Sequence, residues 1–277
     1  MSNEQPRLAL IGFGEAGSTF ARSGGWGAGA RAFDILESRR SLMGECGVEA
    51  AASAEQALDG AEIALSLVTA DAALDVAREY APALVPGAIW CDMNSVAPAT
   101  KRAAAEAVEA HGGRYVDVAV MAPVEPGALG VPLLLSGPAA EEAQRLLIAL
   151  GLTNTRIVGD EVGRASAIKM IRSVMVKGLE ALTFECAAVA DSAGVFEEVM
   201  ASLDASEKPI SWADKVAYNR ERMETHGARR AAEMEEVAKT LLDLGIEPVM
   251  TRGTVVLQRR AAKVKDKKDK DEREQAA

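Results

Sequence analysis

A glycine-rich stretch near the N-terminus restricts the fold of this chain more than any other feature. The apolar run Leu8–Ile11 leads into three glycines at Gly-x-Gly-x-x-Gly spacing, and a segment typical of a helix follows. Gly12 permits a tight turn, Gly14 lets backbone approach a pyrophosphate, and Gly17 allows close packing of helix on strand. The helix N-terminus attracts phosphate through its free N–H groups. The predicted dinucleotide-binding residues of this turn are Gly12, Phe13, Gly14, Glu15, Ala16 and Gly17.

An acidic residue stands where a dinucleotide-binding unit places its ribose ligand. A second apolar run, Ala30–Phe33, ends in Asp34, which lies 22 residues after Gly12. A carboxylate there binds the ribose hydroxyls of NAD and repels the 2′-phosphate of NADP. We therefore expect NAD as the cofactor, with NADP also admissible because Arg39 and Arg40 follow closely. A glycine-rich turn that binds nothing is the alternative.

Composition limits the other partners. The formal net charge of −10 argues against a nucleic acid, which requires a basic face. No apolar run approaches the length of a membrane span, and the first residues lack the basic start of a signal peptide, so we expect a cytoplasmic protein. The three cysteines, Cys46, Cys91 and Cys186, are scattered and form no metal-ligand pattern, so we expect reduced thiols and no metal.

The chain is long enough for two domains. Apolar runs alternate with helical segments through the first part, which predicts a Rossmann-type α/β domain in residues 1–160 with a parallel sheet. Residues 162–193 contain no proline and carry apolar residues at helical spacing, which predicts one long interdomain helix of about 45 Å. We expect residues 161–257 to form an all-helical substrate domain that also makes a homodimer. The charged segment 258–277 is expected to be disordered.

The chain offers few groups for proton transfer. His111 and His226 are the only histidines, and His111 is expected to cap a helix. The Tyr-x-x-x-Lys pattern of short-chain dehydrogenases is absent, as is a zinc ligand cluster. The remaining candidate is Lys169, which shares a helical face with Arg172 and Ser173. A lysine held in a cleft can exchange a proton with a substrate hydroxyl, whereas the alternative is a lysine with a buried stem and a solvated head.

Four motifs in order resemble the β-hydroxyacid dehydrogenase family, which includes 3-hydroxyisobutyrate dehydrogenase, tartronate semialdehyde reductase and 6-phosphogluconate dehydrogenase. These motifs occupy residues 12–17, 92–98, 117–123 and 163–169. The resemblance covers most of residues 7–195. Residues 226–236 are similar to a phosphogluconate-dehydrogenase-like subgroup.

The resemblance implies an NAD(P)-dependent transfer of hydride between a 3-hydroxy acid and the nicotinamide, with Lys169 as general acid/base. It also implies further cofactor contacts from Val68, Thr69, Ala70 and Asn94. Ser95 would lie near the nicotinamide and the substrate. Decarboxylation follows oxidation in only some members of the family.

The substrate motifs depart from the family pattern. Met121, Ala122 and Pro123 occupy the place of a Ser-Gly-Gly sequence, so a hydroxyl and two flexible glycines are missing. Arg172 and Ser173 replace paired asparagines, and Arg172 is a candidate partner for a substrate carboxylate. These five residues, with Ser95, form the predicted substrate site. The departures indicate a substrate different from 3-hydroxyisobutyrate and bulkier.

Alternatives remain open at this point. An imine reductase shares this architecture but usually carries Asp or Tyr in place of Lys169. A non-catalytic dinucleotide-binding protein is the second alternative. The residues His226, Arg229, Arg230 and Glu233 recur on one helical face, where they either reach an anionic substrate or form a salt-bridged surface.

Overall fold

Residues 6–275 are described by a computed structural model, with side chains for residues 6–263. The strands are β1 (Leu8–Ile11), β2 (Ala30–Phe33), β3 (Glu49–Ala50), β4 (Ile63–Ser66), β5 (Ile89–Asp92), β6 (Arg114–Val120), β7 (Leu133–Ser136) and β8 (Thr155–Gly159). The helices are α1 (Glu15–Gly24), α2 (Arg39–Glu45), α3 (Ala54–Leu58), α4 (Ala73–Tyr80), α5 (Pro98–Glu109), α6 (Ala140–Ala149), α7 (Arg164–Ala193), α8 (Phe196–Ser206), α9 (Trp212–Asp243) and α10 (Val249–Gln275). The chain divides into two compact units, one ending at Val174 and the other beginning at Met175.

One eight-stranded sheet organises the first unit, in the order β3-β2-β1-β4-β5-β6-β7-β8. Every neighbouring pair is parallel except β6 and β7, which are antiparallel. The prediction of a parallel sheet is therefore wrong for this pair. The reason is the connection 121–132, which holds only the short turn Ala128–Gly130 and no crossover helix, so the chain re-enters the sheet in the opposite direction.

Helices on both faces bury the sheet. Every residue of β1, β4, β5 and β7 is buried, which explains why these strands are apolar except for Ser66, Asp92 and Ser136 at their carboxyl ends. Two clusters of mostly aliphatic side chains fill the two sides, and alanine predominates in one of them. Strand order reverses between β1 and β4, and the carboxyl ends of β1, β4, β5 and β6 meet at one edge, where open α/β sheets bind ligands.

The second unit is helical. The helix α7 begins in the first unit and ends in the second, as the uninterrupted helical pattern of residues 162–193 predicts. Within this unit α9 packs along α10. Gly227 lies at the contact, where a Cβ atom would stand 2.3 Å from the carbonyl oxygen of Gln258. None of the helices in residues 6–275 is at once long enough and apolar enough for a membrane span.

A carboxylate of α7 caps the start of α10. Glu185 accepts hydrogen bonds from the N–H groups of Met250 (2.8 Å) and Thr251 (2.9 Å) and from the Thr251 hydroxyl (2.7 Å). Burial raises the pKa of Glu185, but these bonds outweigh it and hold the pKa below its usual value. The cap satisfies N–H groups that have no partner within α10.

The charged C-terminal segment differs from its expected disorder. The backbone of α10 continues through this segment to Gln275. After Gly253 the sequence contains neither glycine nor proline and is rich in Lys, Arg, Glu and Ala, which favour a helix. Residues 276–277 lie outside the described part of the chain.

Candidate functional site

A cavity of about 420 Å³ opens at the carboxyl ends of β1, β2 and β4. Six of the predicted cofactor residues line it: Gly12, Gly14, Glu15, Asp34, Val68 and Thr69. The wall also includes Phe33, Ile35, Leu36, Arg39, Ala72, Val76 and Tyr80. The side chain of Phe13 belongs to the core instead, and only its backbone N–H reaches the site.

The geometry of the turn explains why glycine occupies each of its three positions. Gly12 has a φ of 95°, and a Cβ atom on it would lie 2.6 Å from the carbonyl oxygen of Leu67. A Cβ on Gly17 would lie 2.6 Å from the oxygen of Gly12, so helix and turn touch backbone to backbone. Gly14 precedes α1 and has open space where its side chain would be. The turn thus leaves room for a phosphate at the N-terminus of α1.

The carboxylate of Asp34 is held by backbone donors. Its Oδ2 accepts from Phe13 N at 2.7 Å, and its Oδ1 accepts from Leu36 N at 2.9 Å. Each oxygen keeps a lone pair for a further donor, such as a ribose hydroxyl. Arg39 lines the same cavity. The residues present therefore fit an NAD-type dinucleotide.

Lys169 and Ser95 meet at the same edge of the sheet. Lys169 lies half-buried near the start of α7, and its Nζ donates to the Oγ of Ser95 at 2.5 Å. Ser95 is exposed and follows the carboxyl end of β5. The side chain of Arg172 is exposed one turn further along α7. Ser173 donates its hydroxyl to the carbonyl of Lys169 at 2.9 Å, so this hydroxyl serves the helix itself.

Asn94 faces inward. Its Nδ2 donates to the Oγ of Ser66 at 2.9 Å and to the Oδ1 of Asp92 at 2.8 Å, and the residue is buried. The side chain therefore braces the turn before Ser95. Ala70, a further predicted cofactor residue, is exposed beyond the residues that line the cavity.

The connection between β6 and β7 begins at the same edge of the sheet, where β6 ends. Met121 is half-buried beside Ala165 of α7, whereas Ala122 and Pro123 are exposed. Glu125, which no sequence motif singled out, accepts from the Thr19 hydroxyl at 3.2 Å, and this bond links the connection to α1.

Sequence reasoning missed a buried cation. Lys101 of α5 is wholly buried, and its Nζ donates to the carbonyl of Asp92 at 2.6 Å and to the Oδ1 of Asp92 at 2.9 Å. It also lies 3.4 Å from the Oδ1 of Asp117. The only available signal was a lysine within the alanine-rich stretch of α5, which is equally typical of a surface helix.

His111 lies just beyond α5, whereas His226 and Arg229 belong to α9. The Nδ1 of His111 lies 3.0 Å from the carbonyl of Ala107, at the end of α5. His226 is exposed, and Arg229 forms an ion pair with Glu233 on the same helix. This pair fits a salt-bridged surface.

Known proteins share both parts of this architecture. The family described as "NAD binding domain of 6-phosphogluconate dehydrogenase" matches residues 7–159, and "Domain of unknown function (DUF1932)" matches residues 190–261. A conserved hypothetical protein from Sinorhizobium meliloti 1021 is 38% identical, with a TM-score of 0.63, over 94% of this chain and 89% of its own.

Two further solved structures cover nearly the whole chain. The conserved protein MTH1747, described as structurally similar to 3-hydroxyacid dehydrogenases, is 30% identical with a TM-score of 0.62, over 94% of this chain and 98% of its own. An imine reductase from Myxococcus stipitatus, solved with NAD⁺, is 20% identical with a TM-score of 0.75, over 94% of this chain and 95% of its own. At that identity the imine reductase shows the fold alone.

The glycine turn and the residues that line the cavity beside it all lie within residues 7–159, the part of the chain that the NAD-binding family matches. The chain belongs to the oxidoreductase-like family that carries the NAD-binding domain of 6-phosphogluconate dehydrogenase.

Proposed function

We propose that this protein is an NAD(P)-dependent β-hydroxyacid dehydrogenase that transfers hydride between a 3-hydroxy acid and the nicotinamide. The observation that carries the proposal is the 2.5 Å contact between Lys169 Nζ and Ser95 Oγ, at the sheet edge that also holds the dinucleotide cavity. The likeness of a 30% identical relative to 3-hydroxyacid dehydrogenases supports this reaction class.

Lys169 is the proposed general acid/base. As a neutral amine Lys169 would take the proton of the substrate hydroxyl during oxidation, and as an ammonium it would return the proton during reduction. The nicotinamide, when bound, would supply the hydride acceptor or donor. Ser95 orients the Nζ atom through its hydroxyl. Arg172 is exposed one turn away and supplies a cation for the substrate carboxylate.

The substrate we propose is bulkier and more apolar than 3-hydroxyisobutyrate. Met121, Ala122 and Pro123 carry no side-chain hydrogen-bond donor, so the connection after β6 offers apolar contact rather than a hydroxyl. Carboxylate recognition then depends on Arg172.

Imine reduction is the second candidate. Several solved structures with this fold are imine reductases, and the apolar 121–123 segment also suits a substrate without a carboxylate. Lys169 argues against it, because members of that class usually carry Asp or Tyr there. A non-catalytic dinucleotide-binding protein is the remaining alternative.

A substrate panel separates these functions. Formation of NADH or NADPH is followed at about 340 nm, the absorbance of the reduced nicotinamide, with aliphatic and aromatic 3-hydroxy acids, and its consumption with cyclic imines. We expect turnover of 3-hydroxy acids that requires Lys169. Turnover of imines alone would favour the second candidate. Absence of turnover with cofactor binding intact would favour the non-catalytic alternative.

Asp34 is expected to select the cofactor. The substitution Asp34→Asn should weaken NAD binding about tenfold and NADP binding less than about threefold, because the ribose hydroxyls lose a charged acceptor. Isothermal titration calorimetry with both cofactors measures this difference. Asp75→Asn, in an exposed pair with Arg78, is the matched control. Equal losses for NAD and NADP would remove the proposed role.

We also propose a homodimer through the second unit. Large apolar side chains are exposed there, among them Phe184 (77%), Trp212 (57%) and Leu203 (53%). Burying such side chains against a second copy is favourable. Light scattering should give twice the chain mass of 29.1 kDa, and Phe184→Glu should shift it toward the monomer. Val85→Glu, an exposed position of the first unit, is the control; a monomeric wild type would contradict the proposal.

A further inference from the structure

Three buried charges lie together beneath the edge of the sheet. Lys101, Asp92 and Asp117 are each 0–1% exposed, and Lys101 Nζ is 2.9 Å from Asp92 Oδ1 and 3.4 Å from Asp117 Oδ1. Removing three charged groups from water is costly, and apolar residues of similar volume in their place often leave a protein as stable. Stability alone is therefore a weak reason for this cluster.

One side of the cluster holds the turn that presents Ser95. The Oδ1 of Asp92 accepts from the backbone N of Asn94 at 2.9 Å and from its side chain at 2.8 Å. The Oδ2 of Asp92 accepts from the hydroxyl of Tyr115 at 2.6 Å. Burial is the main cause that raises the pKa of Tyr115, and the negative charge of Asp92 adds to it, so this hydroxyl remains a neutral donor. Ser95 is the next residue after Asn94.

The other side holds the start of α7. The Oδ2 of Asp117 accepts from the backbone N of Ser166 at 2.9 Å and from the hydroxyl of Ser136 at 3.3 Å. The same Ser136 Oγ accepts from the backbone N of Ala165 at 3.0 Å. These N–H groups belong to the first turn of a helix and have no partner within it. A carboxylate at this end also interacts favourably with the helix dipole.

Lys169 follows Ser166 by three residues, about one turn of α7. Both partners of the Lys169–Ser95 hydrogen bond are thus attached within one turn to the same buried cluster. We propose that Lys101, Asp92 and Asp117, with Ser136, are positioning residues that hold Lys169 Nζ and Ser95 Oγ in register for proton transfer. This inference rests on the proposed function, since it assigns the two atoms their catalytic use.

Two buried serines give a matched test. Ser136→Ala removes the acceptor of Ala165 N. Ser166→Ala removes a hydroxyl that donates to the carbonyl of Gly163, the residue before α7, and keeps the bond from Ser166 N to Asp117. We expect Ser136→Ala to lower kcat about tenfold with KM and NAD affinity within about twofold, because small displacements of reacting groups reduce rate steeply. Ser166→Ala should leave kcat within about twofold. Equal losses in both variants, or a loss confined to KM, would overturn the inference.

A second readout does not depend on turnover. The two variants are labelled with an amine-reactive reagent, and peptide mass spectrometry gives the labelling rate of Lys169 relative to Lys177, an exposed lysine of the same helix. We expect this ratio to rise about threefold in Ser136→Ala, because Lys169 Nζ is then displaced from Ser95 Oγ. The ratio should stay constant in Ser166→Ala. A changed ratio without turnover of any hydroxy acid would retain the positioning role and reject the proposed function. An unchanged ratio in Ser136→Ala would reject the positioning role itself.

Discussion

Replacement of Lys169 by methionine is expected to lower kcat about a thousandfold while the affinity for NAD stays within about twofold. Methionine preserves the length of the apolar stem but has no group that exchanges a proton, and general acid/base catalysis contributes about 10²–10⁴ in rate. Affinity is spared because Lys169 donates to Ser95 and does not line the dinucleotide cavity. Steady-state kinetics on the best 3-hydroxy acid and calorimetry with NAD measure the two quantities.

The matched control is Lys177→Met. Lys177 lies on α7 two turns beyond Lys169, is exposed, and has no place in the proposed site. It should retain kcat within about twofold. Residual turnover above about a tenth of wild type in Lys169→Met would assign the proton transfer to another group. A parallel loss of NAD affinity would place Lys169 in cofactor binding instead.

The substitution Gly227→Ala is expected to lower the free energy of unfolding of the second unit by about 3 kcal/mol or more. The new Cβ would lie 2.3 Å from the carbonyl oxygen of Gln258 and 3.3 Å from the Cβ of Ala262, so α9 and α10 must separate. Overpacking of this kind costs about 1–3 kcal/mol when side chains yield, and a backbone carbonyl yields less. Urea unfolding followed by helical circular dichroism measures the loss.

A second helical glycine provides the control. Gly253 of α10 is exposed, and a Cβ atom there would have no neighbour within 4 Å. Gly253→Ala should therefore raise the free energy of unfolding by about 0.5–1 kcal/mol through helix propensity alone. Stabilisation by alanine at both positions would show that α9 and α10 do not approach as closely as Gly227 indicates.

The position of the cavity beside the glycine turn was predictable because the local geometry depends on backbone sterics. The spacing of Gly12, Gly14 and Gly17 and the distance to Asp34 reflect a turn, a helix start and a strand end that are adjacent in sequence. The side chain of Phe13 could not be placed by spacing, since its neighbours in the core come from distant strands. The contact of Lys169 with Ser95 spans 74 residues, and only the family resemblance brought the two together beforehand.

Other features depend on tertiary context. The strand β7 runs antiparallel to β6 because the connection between them contains no crossover helix. The apolar sequence of β7 itself does not indicate the direction of the strand. Lys101 is polar and lies on a helix, so pattern alone assigns it to the surface, whereas Asp92 and Asp117 draw it into the interior. In the charged C-terminal segment, low hydrophobicity predicts disorder whereas high helix propensity favours a helix, and the structure there is helical to Gln275.

The three tryptophans have an optical consequence, because they are divided between the two units. Trp26 and Trp90 are at most 3% exposed in the first unit, and Trp26 donates to the carbonyl of Leu150 at 2.9 Å. Trp212, in the second unit, is 57% exposed. An indole shielded from water emits at shorter wavelength and resists a dissolved quencher. The blue part of the emission therefore reports on the nucleotide-binding unit and the quencher-sensitive red part on the helical unit, which lets the melting of each be followed in one unlabelled sample.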